Sequence, residues 1–402
     1  MFDVWACLVE LQQPCLYRPI GDRLVGVDGL VRREILTSLD RLFCEHLAAG
    51  RTSFQAPIIP PPIPANQRFL NISALQKSIR RGDAEGAMRY AQQGCVLNAE
   101  QVFRRLATCA VEDVGIGNLL AVGMALAVMG NKSLRATGNQ GGLAAYLAYV
   151  LAVSPKSRLA CDLLSICDYD KSLDPLKRKL AQAEVSELAS TATDRSCPKA
   201  HRMIAAWLFA GTARFPGTTM PKIARDRRDF MRLLASKRLP LVFYYIADRA
   251  AARIADPMFV SMLPIAAMMA DEPAIAMTRN LQVSVATISG FPAAAFDLHT
   301  YEGRRALSRF GRECMPVRAA LQQLTPTMRD VAVRHGVFIA EGGCLTEQLR
   351  FEVADQIEDE AHDAELAFAG LRGRARQAEF VFTIRQHLDE LNRLRQSALN
   401  GM

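Results

Sequence analysis

Residues 72–115 read ISALQKSIRRGDAEGAMRYAQQGCVLNAEQVFRRLATCAVEDVG. Apolar residues recur there at helical spacing, and the interruptions are of helix-capping or helix-ending type. Ser73 is the expected N-cap of a helix over 74–81. Gly82-Asp83 breaks it, and a second helix runs to Gly94, placed to be its C′ glycine. Asn98, followed three residues later by Gln101, has the form of a capping box and opens a third helix that ends near Asp113-Val114-Gly115. Helix following helix from residue 72 onward assigns the chain to the all-α class, as a multi-domain helical protein.

Downstream, Asn118 is expected to cap a helix that stops at Gly130. Residues 138–142 read as a turn, and 143–153 are apolar on most faces. Ser154-Pro155 is expected to open another helix, with proline at the first helical position. A second helical block spans 175–270 and a third runs from 280 to 402. The third includes a loop at 292–299, a basic helix over 302–313, an acidic segment at 351–368 and an amphipathic helix over 372–402. Upstream, the five prolines within 55–66 forbid helix and favour an extended spacer. Before it, 31–49 reads as an amphipathic helix ending at Gly50, and 17–28 as a short hairpin. The implied division is an N-terminal region at 1–54, a Pro-rich linker at 55–66, and helical domains at 67–170, 171–275 and 276–402. No repeat of fixed period emerges.

Half of the 402 residues are hydrophobic and 22% are charged, which is the composition of a folding chain rather than a disordered one. The net charge of +8 permits contact with nucleic acid without requiring it. Ten cysteines lie in no C-x-x-C framework, as expected of reduced thiols in a cytoplasm. The longest apolar runs, 116–129 and 258–270, fall short of the roughly 20 residues of a membrane span, so no membrane partner is expected.

Residues 72–170 resemble the collar region of the replication-associated recombination ATPases (the MgsA/RarA family) and, more distantly, the collars of sliding-clamp loaders. The stretches that carry the resemblance are 72–80, then 83–90 with its Asp/Ala-rich helix ending in Tyr90, then Phe103-Arg104-Arg105-Leu106 with 110–115, and finally 151–157. The resemblance implies an oligomer-forming helical domain, with DNA and other replication proteins as partners. The family's ATPase module is not carried over. No G-x-x-x-x-G-K-[ST] loop occurs, Gly130-Asn131-Lys132-Ser133 lacks its spacing, and the roughly 70 residues before the collar are too few for that fold.

Within this unit, Glu112 and Asp113 read as turn-capping carboxylates paired with Arg104 or Arg105. Lys156 and Arg158, at the expected exposed start of a helix, are candidate phosphate contacts. Two basic faces are candidate DNA contacts. The first holds Lys222, Arg225, Arg228 and Arg232 within 222–238. The second holds Arg304, Arg305, Arg309 and Arg312, of which 305, 309 and 312 align along one helix. Tyr244 and Tyr245 are candidates for base stacking or for the core. Asp297, His299 and Glu302, and separately Glu358, Asp359, Glu360, His362 and Asp363, are the carboxylate–imidazole groupings a metal-dependent nuclease would use. Neither has motif spacing, and there is no G-x-S-x-G or H-E-x-x-H. No catalytic residue, cofactor or metal is therefore assigned. The expected function is a non-enzymatic accessory or scaffold protein of DNA replication, recombination or repair. The alternatives are an interaction subunit for a separate AAA+ ATPase or clamp loader, and a nuclease.

Overall fold

The computed structural model of the protein describes residues 18–56, 61–136, 138–271, 276–279, 286–350 and 353–401. These residues form 19 α-helices and four short strands, an all-α protein. The first helices are α1 (Arg33–Arg51), α2 (Arg68–Arg80), α3 (Ala84–Cys109), α4 (Leu119–Gly130), the single-turn α5 (Lys132–Arg135) and α6 (Gln140–Val153). Then follow α7 (Leu159–Tyr169), α8 (Asp174–Ala181), α9 (Val185–Thr193), α10 (Lys199–Ala210), α11 (Arg227–Ser236), α12 (Leu241–Arg253) and α13 (Met262–Asp271). The remaining helices are α14 (Tyr301–Glu313), α15 (Met315–Ala320), α16 (Pro326–Val337), α17 (Ala354–Phe368), α18 (Arg374–Gln386) and α19 (Leu388–Asn400). β1 (Ala276–Arg279) and β4 (Glu347–Arg350) pair antiparallel, Ala276 opposite Arg350. β2 (Thr287–Ile288) and β3 (Phe291–Pro292) form a minimal hairpin.

Side-chain caps set the helix starts. Asp83 accepts from the Gly86 N–H at 2.9 Å, Asn118 from Ala121 at 3.0 Å and Asn139 from Gly142 at 2.9 Å. Asn98 leaves helical geometry inside α3 (φ −164°, ψ 92°) and accepts from the Gln101 N–H at 3.0 Å, so the expected cap is formed there. Gly94 does not end a helix. It lies inside α3, where a Cβ would meet Val102 and Asn71 at 2.6 and 2.9 Å. Ser73 is no cap either, because α2 already begins at Arg68. The amphipathic segment expected over 372–402 is two helices, parted at His387. Of the expected hairpin at 17–28, residue 17 lies outside the described residues, and the rest forms a 3-10 turn (Asp22–Leu24) with a bridge between Val25 and Val31. Residues 57–60 of the Pro-rich segment also lie outside them.

Ser154-Pro155 does not open a helix. Residues 154–158 are extended because Lys156 joins β4: its N–H donates to the Glu347 carbonyl at 2.9 Å, and its own carbonyl accepts from Leu349 at 2.8 Å. Helix geometry resumes only at Leu159.

Apolar burial is divided between two cores. The larger runs from Ile20 to Phe296 and also takes in Ile357 and Ala361 of α17, so it continues across position 170. The smaller, from Ala306 to Ala398, is built by α14–α19. In the larger core Gly123 of α4 faces the fully buried Phe43 of α1, and a Cβ there would lie 2.4 Å from the ring. Alanine in place of glycine gains about 1 kcal/mol of helix propensity, while forced overpacking costs about 1–3 kcal/mol. Gly123→Ala is therefore expected to lower the thermal unfolding midpoint. A raised midpoint would mean that the Phe43 ring swings aside freely.

Candidate functional site: a cationic chamber between the two cores

Every residue of α2 from Leu70 to Arg80 is buried, including Gln76, Lys77, Ser78 and Arg80. Buried polar groups require partners, and each of these four has one. Lys77 Nζ pairs with Asp297 at 2.8 Å, and the Ser73 hydroxyl donates to the same carboxylate at 3.1 Å. Arg80 Nε donates to Asp113 at 2.7 Å and Nη1 to the Gly342 carbonyl at 3.0 Å. Gln76 donates to Asp113 at 3.3 Å and accepts from Arg105 at 3.2 Å, and Ser78 donates to Asp83 at 3.0 Å.

Asp113 is fully buried, and one of its oxygens takes both Arg80 and Arg158 at 2.7 Å. Both guanidinium groups also lie over the Phe338 ring, at 5.5 and 5.1 Å. Burial on its own would raise the Asp113 carboxyl. Arg80 and Arg158 outweigh it and hold the group down at about 2. The carboxylate sits in a single π-helical turn, Ala110–Val114, that ends at Gly115 with φ +49°. A Cβ at Gly115 would lie 2.6 Å from the Ser157 carbonyl, so glycine there lets residues 154–158 approach.

This geometry corrects three expectations. Asp113 pairs with Arg80 and Arg158, not with Arg104, which is exposed, or Arg105, which bonds Gln76. Glu112 and Asp113 are not turn caps. Glu112 lines a cavity, and burial followed by the neighbouring Asp113 charge raises its carboxyl. Lys156 is buried rather than exposed. Its ammonium is taken up by the carbonyls of Ala152 and Ser154, and burial lowers it to about 8.

A second node is held by charge alone, for among the described residues neither Glu341 oxygen makes a hydrogen bond. Glu341, buried in the π-helical turn Phe338–Gly342, lies 2.9 Å from Arg395 of α19 and 4.0 Å from Arg81. In both nodes two guanidinium groups share one carboxylate, which leaves a positive charge over. Single-turn π-helices recur at functional sites, and here each carries the acid of a node.

Between the two cores lies a chamber of about 630 Å³. Gln76, Lys77, Arg80, Arg105, Glu112 and Arg158 line it from the first core, and Arg334, Phe338 and Arg395 from the second. Trp207, Phe215 and residues 216–218 supply another wall, with Ala255 beside them in a positive-φ conformation (53°). Arg105 and Arg334 have no carboxylate within ion-pair distance among the described residues. The buried Trp207 indole N–H has no acceptor there, and Arg395 Nε has none either. Neither atom has surface open to the chamber, which concentrates positive charge through its arginines and Lys77.

No motif gives Lys77 or Arg80 a role, and none marks Trp207, Arg334, Glu341 or Arg395. The available signal was cationic side chains inside a helix whose neighbours on every side are core residues. Asp297 and His299 also belong to the chamber wall. Asp297 is held at about 2, burial being outweighed by Lys77. Glu302 is buried at the start of α14. Glu358 and His362 face a smaller cavity of about 150 Å³ beside Lys156. Among the described residues no group of three or more His, Cys, Asp or Glu side chains converges as a metal cluster.

The first basic face is not one helix. Lys222 and Arg225 precede α11, and Lys222 Nζ donates to the Phe215 carbonyl at 2.6 Å. Arg228 is paired with Asp226 at 2.6 Å and Arg232 with Asp229 at 2.6 Å, and Arg238 meets Asp22 at 3.0 Å. On α14, Arg309 is paired with Glu313 at 2.8 Å, whereas Arg304, Arg305 and Arg312 are exposed with no carboxylate within ion-pair distance among the described residues. Tyr244 and Tyr245 are core residues. The Tyr244 oxygen accepts from the Val31 N–H at 3.2 Å, and the Tyr245 hydroxyl donates to Asp40 at 2.6 Å.

No family model, curated protein or solved structure matches this chain. No helix among the described residues is long and apolar enough to cross a membrane.

Asp256, whose side chain accepts from the Met258 N–H at 2.9 Å, is buried beside the chamber. Burial, then the nearby Glu112, raises its carboxyl to about 8. Unfolded, it ionises near pH 4. The native state therefore binds the extra proton between about pH 4 and 8, and its stability falls as pH rises through that window. Asp256→Asn keeps an acceptor oxygen and is expected to melt above the wild type at pH 8, with the difference vanishing towards pH 4. A pH series of melting curves that stay parallel would refute this.

Proposed function

We propose that the chain is a non-enzymatic binding protein that takes a phosphate-bearing anion into the chamber and serves as an accessory factor of DNA replication, recombination or repair. One observation carries the reading: the stretches 72–80, 103–106 and 110–115, together with Arg158, converge on one cavity with positive charge in excess. Isolated buried charge is costly, and an anion held by charge-assisted bonds offsets that cost. These three stretches are among those that carry the resemblance to the recombination ATPase collars, which supports the cellular setting. Self-assembly through 67–170, and pairing of that region with a separate AAA+ ATPase, belong to the same reading.

Titration calorimetry with tripolyphosphate tests the chamber. Binding is expected to weaken as salt rises. Arg105→Gln is expected to lose about 10–100-fold in affinity, the worth of a charge-assisted bond, with the melting midpoint little changed, because Arg105 joins no ion pair among the described residues and its one hydrogen bond, to Gln76, is open to the Gln amide. Absence of binding at low salt would remove the chamber as an anion site.

A second reading, direct contact with DNA, is favoured at one face by Arg304, Arg305 and Arg312, which are exposed and have no carboxylate partner among the described residues. Reversal of these three to Glu is expected to weaken duplex binding at least about tenfold in fluorescence anisotropy and to flatten its salt dependence. Unchanged affinity would exclude that face.

A further inference from the structure

One group in the chamber runs against its charge. Glu112 lines the cavity together with Lys77, Arg80, Arg105 and Arg158, is half-buried, and its carboxyl makes no hydrogen bond or ion pair among the described residues. Neither of its oxygens is sealed from solvent, whereas both oxygens of Glu341 are. Burial and the adjacent Asp113 charge raise its carboxyl, and Arg158, Arg80 and Arg105 act against them. Asp256, buried alongside, is a further acid, and the Cys161 thiol donates to the Glu112 backbone carbonyl at 3.2 Å. A fully ionised anion gains nothing from a carboxylate in the wall of its site, because the two repel. An ionised carboxyl only accepts hydrogen bonds, so it favours an anion that carries a donor of its own.

Resting on the anion-binding reading above, we infer that Glu112 is the specificity-determining residue of the chamber and that the ligand is a phosphate group keeping an acidic O–H. The arginines take the unprotonated oxygens, and Glu112 accepts the hydrogen of the P–O–H, so that one proton is held between carboxyl and phosphate. Hydrogen phosphate brings that proton with it. Sulfate, a tetrahedral anion of the same charge, brings none and meets the carboxylate unprotonated. A site built around a ligand's O–H rejects the analogue that lacks it. Inorganic phosphate and the phosphate of a small monoester share this chemistry, the monoester keeping its proton only near and below about pH 6.

The test compares sodium phosphate with sodium sulfate by calorimetry on the full chain at pH 8. Phosphate is expected to bind at least about tenfold more tightly, the worth of one hydrogen bond to a charged group. Glu112→Gln, whose amide donates to sulfate as readily as it accepts from phosphate, is expected to abolish that preference by raising sulfate affinity. Should that variant unfold, proton uptake by the wild type, from calorimetry in two buffers of different ionisation heat, is the second readout. Sulfate is expected to take up about one proton more per anion than phosphate, because its complex must draw from solvent the proton that phosphate supplies. His299 on the same wall and the buried Asp256 respond to either anion alike, so they cancel in that difference. Equal affinities, a preference that survives Glu112→Gln, or equal proton uptake overturns the role of Glu112 and leaves the anion site standing. Failure of phosphate, sulfate and tripolyphosphate alike to bind removes the anion site itself. At pH 6, tighter binding of glycerol 3-phosphate than of inorganic phosphate assigns the site to a monoester, and the reverse order assigns it to free phosphate.

Discussion

The carboxylate of Asp113 is the constraint on which the rest of the arrangement rests. It is fully buried, and it holds Arg80 of α2 and Arg158, just before α7, on a single oxygen. A buried ion pair repays its desolvation only when the remaining hydrogen-bonding capacity is also met. Gln76 supplies a further donor to Asp113, and the Gly342 carbonyl takes the second arm of Arg80. Three segments of the larger core and a π-helical turn of the smaller are thereby fixed around one point. Glu341 sets a second buried acid between Arg395 and Arg81 on the other side, without the supporting hydrogen bonds. The chamber is the space these two nodes keep open.

Features that depend on neighbours in sequence were legible before the structure. Asn98 and Asn118 cap where expected because the side chain and the amide it accepts from lie three residues apart. Gly82 and Gly115 mark real chain reversals because both need positive φ. The apolar periodicity was enough to place the chain in the all-α class. What failed was reading a local cue where a distant partner decides. Pro155 looks like a helix start, yet β4 captures Lys156 as a strand neighbour some 190 residues later in the sequence. Ser73 has the chemistry of a cap, yet its hydroxyl serves Asp297.

The site was half legible for the same reason. Arg105, Glu112 and Asp113 were picked out with the wrong partners, because spacing along a helix cannot tell which cation a carboxylate will meet, and Arg158 was picked out for phosphate with no sign of its bond to Asp113. The aromatic wall, α16 and α19 arrive through tertiary packing alone. The basic faces were overread in the opposite sense. Asp226, Asp229 and Glu313 stand beside the arginines they neutralise, so counting cations without their nearest acids overstates free charge.

The bond from Arg80 to the Gly342 carbonyl spans 262 positions. At a synthesis rate of about 5–20 residues per second, the partner emerges roughly 13–50 s after the arginine. Through that interval α2 carries Arg80, like Lys77 awaiting Asp297, with partners not yet made. A helix with unsatisfied ammonium and guanidinium groups resists dehydration, so α2 stays hydrated while its apolar neighbours are already able to collapse. The contacts of α2 in the larger core are therefore complete only once Asp297 and Gly342 have emerged. High sequence separation of this kind also makes for slow folding, and nascent chains stalled before Asp297 present the exposed apolar residues of α2 to chaperones.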